Sequence, residues 1–270
     1  MTAYLGPAGN LVGFACPSEE QIEQADNVST EVTLGGVRKA QYGQRAPRAW
    51  QVGISTATPE QISGLTGLLR GLYGPPPWVY VGPWAQVSNL LDPASSMLLP
   101  GSWAGFGAAG GPITLADGTR PNYHILNSTG GEIRLPAVPA FPGVDVTGSV
   151  YAAGEVEFTA SLDFKDRAGG NIVSRSVRFN QAVGLDLQRS ALTATAPAGA
   201  VAVMLRLNGA LRAALPAVTW TPEAEAWQAG EGAPKVVARG MSKAVQLAVR
   251  QEKSMRRVSA SFTLEEVGNA

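Results

Sequence analysis

The chain has 270 residues, 45% of them hydrophobic, and its 21 basic and 21 acidic side chains cancel to a formal net charge of zero. A mean hydropathy of +0.03 excludes a disordered chain, and the lack of any run near 20 uninterrupted apolar residues excludes a membrane-spanning helix. Balanced charge gives no pull toward nucleic acid or an anionic membrane, so neither is expected as a partner, while 32 glycines and 19 prolines favour a loop-rich β architecture.

In chain order, Met1 to Ala15 has no basic start and no long apolar run, so no secretory signal is expected. Cys16 is the only cysteine, which excludes an intrachain disulfide and fits a reducing cytoplasm. With no activating base near it in sequence, it reads as a small apolar filler. A strand is expected around Val32 to Leu34. From Arg48 to Ser55 the large apolar residues fall at every second position, so Trp50, Val52 and Ile54 share one strand face. Thr58 then caps a helix, Pro59 suits its first position and Gln61 completes a capping box. Ile62, Leu65, Leu69 and Leu72 give the helix an apolar stripe, and Gly71 and Gly74 stop it. Pro75 to Pro77 forces an extended path into a strand over Trp78 to Val81, and Gly82-Pro83 breaks the chain before Asn89-Leu90-Leu91.

The next stretch has the period of an antiparallel sandwich. Over Glu155 to Lys165, Val156, Phe158, Ala160, Leu162 and Phe164 face in, while Glu157, Thr159, Ser161 and Asp163 face water. A turn at Arg167 to Asn171 joins this strand to Ile172 to Phe179 as a hairpin. Val201, Val203, Leu205 and Leu207 repeat the alternation, Val218 and a buried Trp220 close the module, and Thr221 to Pro234 reads as a return linker. At the C-terminus Lys235 to Arg250 and the alternating Val258, Ala260, Phe262 and Leu264 predict two strands. A hairpin alone is barely stable, so these need a sheet to join, and the strands near Val32, Trp50 and Trp78 are the expected hosts. Residues 1–83 and 233–270 are therefore read as one β domain with a single helix, interrupted by an inserted domain over 84–232.

Catalytic chemistry finds little footing. One histidine, His124, is the only conventional base, and no Gly-Xaa-Ser-Xaa-Gly nucleophile motif accompanies it. Zinc would need several Cys or His ligands. The nearest carboxylate pairs are Glu155 with Glu157 and Asp163 with Asp166, but Glu155, Glu157 and Asp163 fall on the polar phase of one strand and read as a solvated face rather than a glycosidase pair. Calcium binding by loop carboxylates such as Asp117, Asp145 or Asp166 stays open, as in some modules of this sandwich type, although no clustered Asp-Xaa-Asp pattern is present. The glycine-rich Gly105 to Gly111 lacks the lysine and helix of a phosphate loop. No enzymatic activity, cofactor or metal is expected.

The order of strand, capped helix, Gly-Pro turn, Trp78 to Val81 strand and Asn89-Leu90-Leu91 resembles the distal tail and tail-tip proteins of tailed phages of the siphophage type, although Gly82 stands where that family usually has an aspartate. The inserted region, with Asn89-Leu90-Leu91 and Trp103 at its opening, Phe164 to Gly169 at its hairpin and Pro197 to Ala200 before a late strand, resembles carbohydrate-binding jelly-roll modules. The fold implied is mainly β: a sandwich-like or barrel-like ring domain with one helix, completed by the C-terminal strands, plus an inserted jelly-roll sandwich. The resemblance implies a virion structural protein made in the host cytoplasm. It would form a ring of about six copies at the distal end of the tail tube, connecting the tube protein to the hub and tip proteins. The inserted domain would project for docking or for contact with host cell-wall glycan; the alternative is a stand-alone carbohydrate-binding or adhesion protein. If glycan binds, Trp103, Tyr123 and His124 are the expected contacts, since aromatic faces stack on sugar rings. Among the C-terminal basic residues, Arg250, Arg256 and Arg257 are the expected contacts between subunits, with edge-strand protection as the plainer role.

Overall fold

The Thr58 box forms as its chemistry requires: Thr58 Oγ1 accepts from the Gln61 N–H at 3.4 Å, and Gln61 Oε1 accepts from the Thr58 N–H at 3.0 Å. The computed structural model describes residues 2–24, 28–33, 36–42, 47–115, 117–122, 124–127, 131–154, 157–179, 187–209, 211–246 and 257–268. By contacts the chain divides into two compact units, one of residues 1–7, 12–79 and 235–270 and the other of 8–11 and 80–234. The first begins with strands β1 (Thr2–Gly6), β2 (Val12–Ala15), β3 (Glu19–Gln24), β4 (Val28–Val32), β5 (Arg38–Tyr42) and β6 (Arg48–Ala57), then helix α1 (Pro59–Leu69) and β7 (Trp78–Val81). Trp50, Val52 and Ile54 are buried as their spacing predicts, and α1 lies against β2. Its buried stripe is Ile62, Leu65 and Leu68. Leu72, expected on that stripe, lies past the helix end and is 75% exposed, because Gly71 at φ +79° has already turned the chain. The strand expected near Val32 is β4, which pairs with β5 and with no other described strand, so it does not host the C-terminal hairpin. Leu34 lies outside the described residues. Cys16 is exposed rather than a core filler.

The second unit holds short helices α2 (Pro83–Ser88) and α3 (Pro93–Ser96). Its strands are β8 (Ala104–Gly105), β9 (Ala108–Gly110), β10 (His124–Asn127), β11 (Glu132–Arg134), β12 (Val138–Pro139), β13 (Asp145–Gly154), β14 (Phe158–Lys165), β15 (Asn171–Phe179), β16 (Gln188–Thr195), β17 (Ala202–Asn208) and β18 (Leu211–Thr219). They build a five-stranded sheet, β16-β13-β18-β10-β9, and a six-stranded sheet, β15-β14-β17-β11-β8 with β12 also on β17. From β8 to β18 the chain changes sheet at every step except β9 to β10, β11 to β12 and β14 to β15, the crossing habit of a jelly-roll sandwich. Phe158, Ala160, Leu162 and Phe164 of β14 and Val203, Leu205 and Leu207 of β17 are buried, as their alternation predicts. Val156 lies outside the described residues. Opposite β14 and β17, Gly148 of β13 leaves room for both Leu162 and Leu205: a Cβ there would stand 3.0 and 3.1 Å from their side chains.

Asn89 anchors the outer side of the five-stranded sheet. Its Nδ2 donates to the carbonyls of Pro216 and Gln228, each at 3.1 Å, and its Oδ1 accepts from the N–H of Leu91 at 3.2 Å and of Val218 at 3.1 Å. All four hydrogen-bonding positions of the amide are used inside the protein. The return segment is stitched to the same place: Glu231 N–H donates to the Asn89 carbonyl and Gly232 N–H to that of Leu91, both at 2.9 Å. Only glycine fits at 232, since a Cβ would lie 1.9 Å from the Leu90 oxygen. Trp220, expected buried, is half-buried, with its ring edge-on to Phe141 and Nε1 donating to the Pro139 carbonyl at 3.0 Å.

The chain then returns to the first unit as β19 (Ala233–Gln246) and β20 (Arg257–Glu266). This hairpin sits between β7 and β6, giving the order β2-β1-β7-β19-β20-β6-β3. Two of the three expected hosts thus receive it. Phe262 meets Phe14 edge-on at 6.0 Å between ring centroids, and Glu266 pairs with the buried Arg48 at 3.1 Å. The protein is of the mainly β class expected from its sequence.

Candidate functional site

The residues expected to meet glycan do not form one surface. Tyr123 lies outside the described residues. Trp103 is half-buried, and its ring lies 3.2 Å from where a Cβ of Gly107 would stand, with Ile125 on the same glycine. Its Nε1 is buried with no hydrogen-bond partner among the described residues. His124 opens β10, next to the fully buried Ile125, so strand alternation sends its ring to the opposite face. That ring covers the Gly110 backbone, and its Nδ1 donates to the Gly111 carbonyl at 2.7 Å. Because a carbonyl only accepts, the proton of a neutral His124 is on Nδ1. Arg250 and Arg256 lie outside the described residues, and Arg257 opens β20, opposite Gln246.

The loop carboxylates are each used locally. Asp117 accepts from the Thr119 N–H at 2.9 Å and from the Tyr151 hydroxyl at 3.2 Å. The bonds from Thr119 lead in holding its carboxyl below the usual range, while burial, ahead of the nearby Asp117 charge, pushes the Tyr151 phenol up. Asp145 accepts from the Thr195 hydroxyl at 2.6 Å, and Asp166 accepts the N–H groups of Ala168 and Gly170 in the hairpin turn. No group of three or more His, Cys, Asp or Glu side chains is gathered among the described residues.

A different surface does bring chemistry together: the outward face of the six-stranded sheet. The registers β11 to β17, β17 to β14 and β14 to β15 align Glu132, Asn208, Thr159 and Arg178 in one row. They align Arg134, Arg206, Ser161 and Ser176 in the next, and Met204, Asp163 and Ser174 in a third. Asp163, expected on a solvated face, is only 4% exposed. Arg206 Nε stands 2.9 Å from Asp163 Oδ2, and Nη2 donates to Oδ1 at 3.3 Å. The third nitrogen, Nη1, donates to Glu132 Oε2 at 3.2 Å, and Arg134 pairs with the other oxygen of Glu132. The hydrogen bond from Arg134, and after it that from Arg206, hold the Glu132 carboxyl below its ordinary value. Glu157, by contrast, is exposed as expected, with Arg178 at 3.9 Å; Glu155 is outside the described residues.

Two carboxylates and two guanidiniums thus form a neutral, fixed lattice on a sheet face, flanked by hydroxyls and an amide. At the end of the first row Phe106, whose N–H donates to the Glu132 carbonyl at 3.0 Å, carries a side chain 82% exposed. Donors and acceptors at fixed spacing suit a neutral ligand rich in hydroxyls, and an exposed ring suits its apolar edge. A carboxyl held ionised is a poor proton donor near neutral pH, so Glu132 is not set up as a glycosidase acid. Sequence reasoning missed Phe106, Glu132, Arg134 and Arg206. The usable signal was the outward phase of the Val203 to Leu207 strand, which carries Met204, Arg206 and Asn208 opposite a strand bearing Asp163.

No protein-family model and no curated protein matches the chain. Among solved structures it is similar to the enzymatically active domain of bacteriophage CBA120 tailspike protein 4, at 16% identity and TM-score 0.40, over 49% of this chain and 21% of that one. It is similar to the CBM22-1 and GH10 modules of Clostridium thermocellum endo-1,4-β-D-xylanase 10B, at 13% identity and TM-score 0.36, over 53% of this chain and 30% of that one. It is also similar to the module TmCBM61 in complex with β-1,4-galactotriose, at 15% identity and TM-score 0.32, over 49% of this chain and 99% of that one. The chain thus spans less than a third of the first two. At these scores no residue role passes from any of them to this protein.

Proposed function

We propose that the protein is a non-catalytic structural component of a phage tail tip, whose first unit assembles into a ring and whose second unit contacts glycan through the outward face of its six-stranded sheet. The observation that carries this reading is the splice: a complete sandwich is set into a sheet that only the C-terminal hairpin closes, the architecture that the resemblance of Arg48 to Leu91 implies. The ring would hold about six copies and join the tail tube to the hub proteins. A second reading, a glycan-binding or adhesion protein that acts without a ring, is favoured by the Phe106, Glu132 and Arg206 surface taken alone.

Light scattering of the purified protein, followed by electron microscopy of any assembly, separates the two. A closed ring with outward lobes is expected; a monomer at every concentration, with retained binding on a sugar array, would move the reading to the second. A sugar array probed with wild type and Phe106→Ala tests the glycan part. No binding by the wild type to any neutral glycan would overturn that part and leave the ring standing.

A further inference from the structure

The two edges of this protein that carry opposite charge point to how copies would join. β3 ends the seven-stranded sheet and pairs only with β6 among the described strands; β15 ends the six-stranded sheet and pairs only with β14. β3 reads Glu-Glu-Gln-Ile-Glu-Gln, with three acids and no base, and β15 reads Asn-Ile-Val-Ser-Arg-Ser-Val-Arg-Phe, with two bases and no acid. Glu19, Glu20, Glu23, Arg175 and Arg178 are all exposed. Charged edges ordinarily guard against stray pairing. Here the guard is selective: β3 against β3 sets acid facing acid, β15 against β15 sets arginine facing arginine, and only β3 against β15 attracts.

The spacing agrees with that pairing. In an antiparallel ladder that sets Glu20 opposite Arg178, Glu23 falls opposite Arg175, because each pair of charges is three residues apart. One pair then lies on each face of the joined strands. Ile22 and Val177, 45% and 43% exposed, fall within the same paired stretch. Arg178 meets only Glu157 among the described carboxylates, at 3.9 Å with both side chains exposed, so little is lost on exchange.

We propose that β3 of one copy adds to β15 of the next, a head-to-tail contact in which one copy offers the acidic edge and its neighbour the basic one. This rests on the assembly reading above and supplies its contact. Such an interface repeats around a ring when its rotation closes, whereas a two-fold dimer would need each edge to meet itself.

The test uses two full-length variants, Glu20→Arg with Glu23→Arg, and Arg175→Glu with Arg178→Glu, compared by light scattering at matched concentration. Each alone carries like charge on both edges and is expected to associate at least about tenfold more weakly than wild type. Mixed in equal amounts they are expected to regain the wild-type mass, as an alternating assembly in which every contact is again acid to base. Thermal unfolding of each variant at the wild-type temperature confirms that both fold. Variants that assemble alone like the wild type, or a mixture that stays dissociated, would overturn the strand pairing while leaving a wild-type ring in place. A monomeric wild type would instead remove the assembly reading itself.

Discussion

The two outward faces of the inserted sandwich are treated in opposite ways. Over the five-stranded sheet the chain lays its own cover: α2 and α3 lie against β18, Asn89 is fully buried, and Leu115 and Trp227 pack on Ala153, Ala214 and Leu215. Over the six-stranded sheet the chain instead presents an ordered array of Glu132, Arg134, Asp163 and Arg206 bordered by Ser and Thr. A face that the chain covers with itself is spent on holding the module together. A face that carries a preformed polar lattice leaves Arg134, Arg206 and Glu132 partly open to solvent above the buried Asp163 and Ser161, so its outer groups are held in place and still reachable.

The sharpest way to break the contrast is Asn89→Ala, which strips four buried backbone groups of their partner. At about 1 to 3 kcal/mol for each unsatisfied group, with partial relaxation, a loss on the order of 3 to 5 kcal/mol is expected in denaturant unfolding of the full chain. Gly232→Ala belongs to the same class, since its Cβ cannot pass the Leu90 oxygen without moving the backbone.

Next in size is Arg206→Met, which leaves Asp163 buried at 4% exposure without its counter-charge. A loss of about 3 kcal/mol is expected, and the double variant Arg206→Met with Asp163→Leu should recover most of it, since apolar replacement of both partners is often near neutral. If the single change costs nothing, the lattice is not the fixed array described above. Phe106→Ala acts on the bare face alone. Its unfolding midpoint should match wild type, while affinity for any glycan found on the array drops about tenfold, near the 0.5 to 1.5 kcal/mol of an aromatic contact.

The smallest effect is in pH. Glu132 is held below its ordinary value near 4.5 by Arg134 and then Arg206. Its contribution to stability is therefore complete above that value and is lost as pH falls through the lower folded-state value. An acid titration of the unfolding free energy should show this decline in wild type, and Glu132→Gln should flatten it by well under the Arg206 effect.

Much of this was legible where neighbours in sequence are neighbours in space. The Thr58 capping box, the burial of Trp50, Val52 and Ile54, the hairpin of β14 and β15 and the pairing of β19 with β20 all depend on short separations or strict alternation. β13 went unread because Gly148 occupies an interior position and breaks the apolar phase, a gap explained only by Leu162 and Leu205 from the other sheet. Asp163 was misplaced because its guanidinium partner is 43 residues away on β17. The bare face was invisible for the same reason: Phe106, Glu132 and Arg206 are gathered by strand registers, and no local pattern marks them.

The position of the β19 and β20 hairpin bears on the order of events during synthesis. The sandwich is nearly continuous in sequence and is finished by β18, so it can fold while the ribosome still holds the C-terminal hairpin. The seven-stranded sheet cannot: its two middle strands emerge after all its others, and until then β6 and β7 have no neighbour to bridge them. A strand edge such as β3 therefore gains its rigid backing only once translation has passed β20, after the strands of the sandwich have all been made.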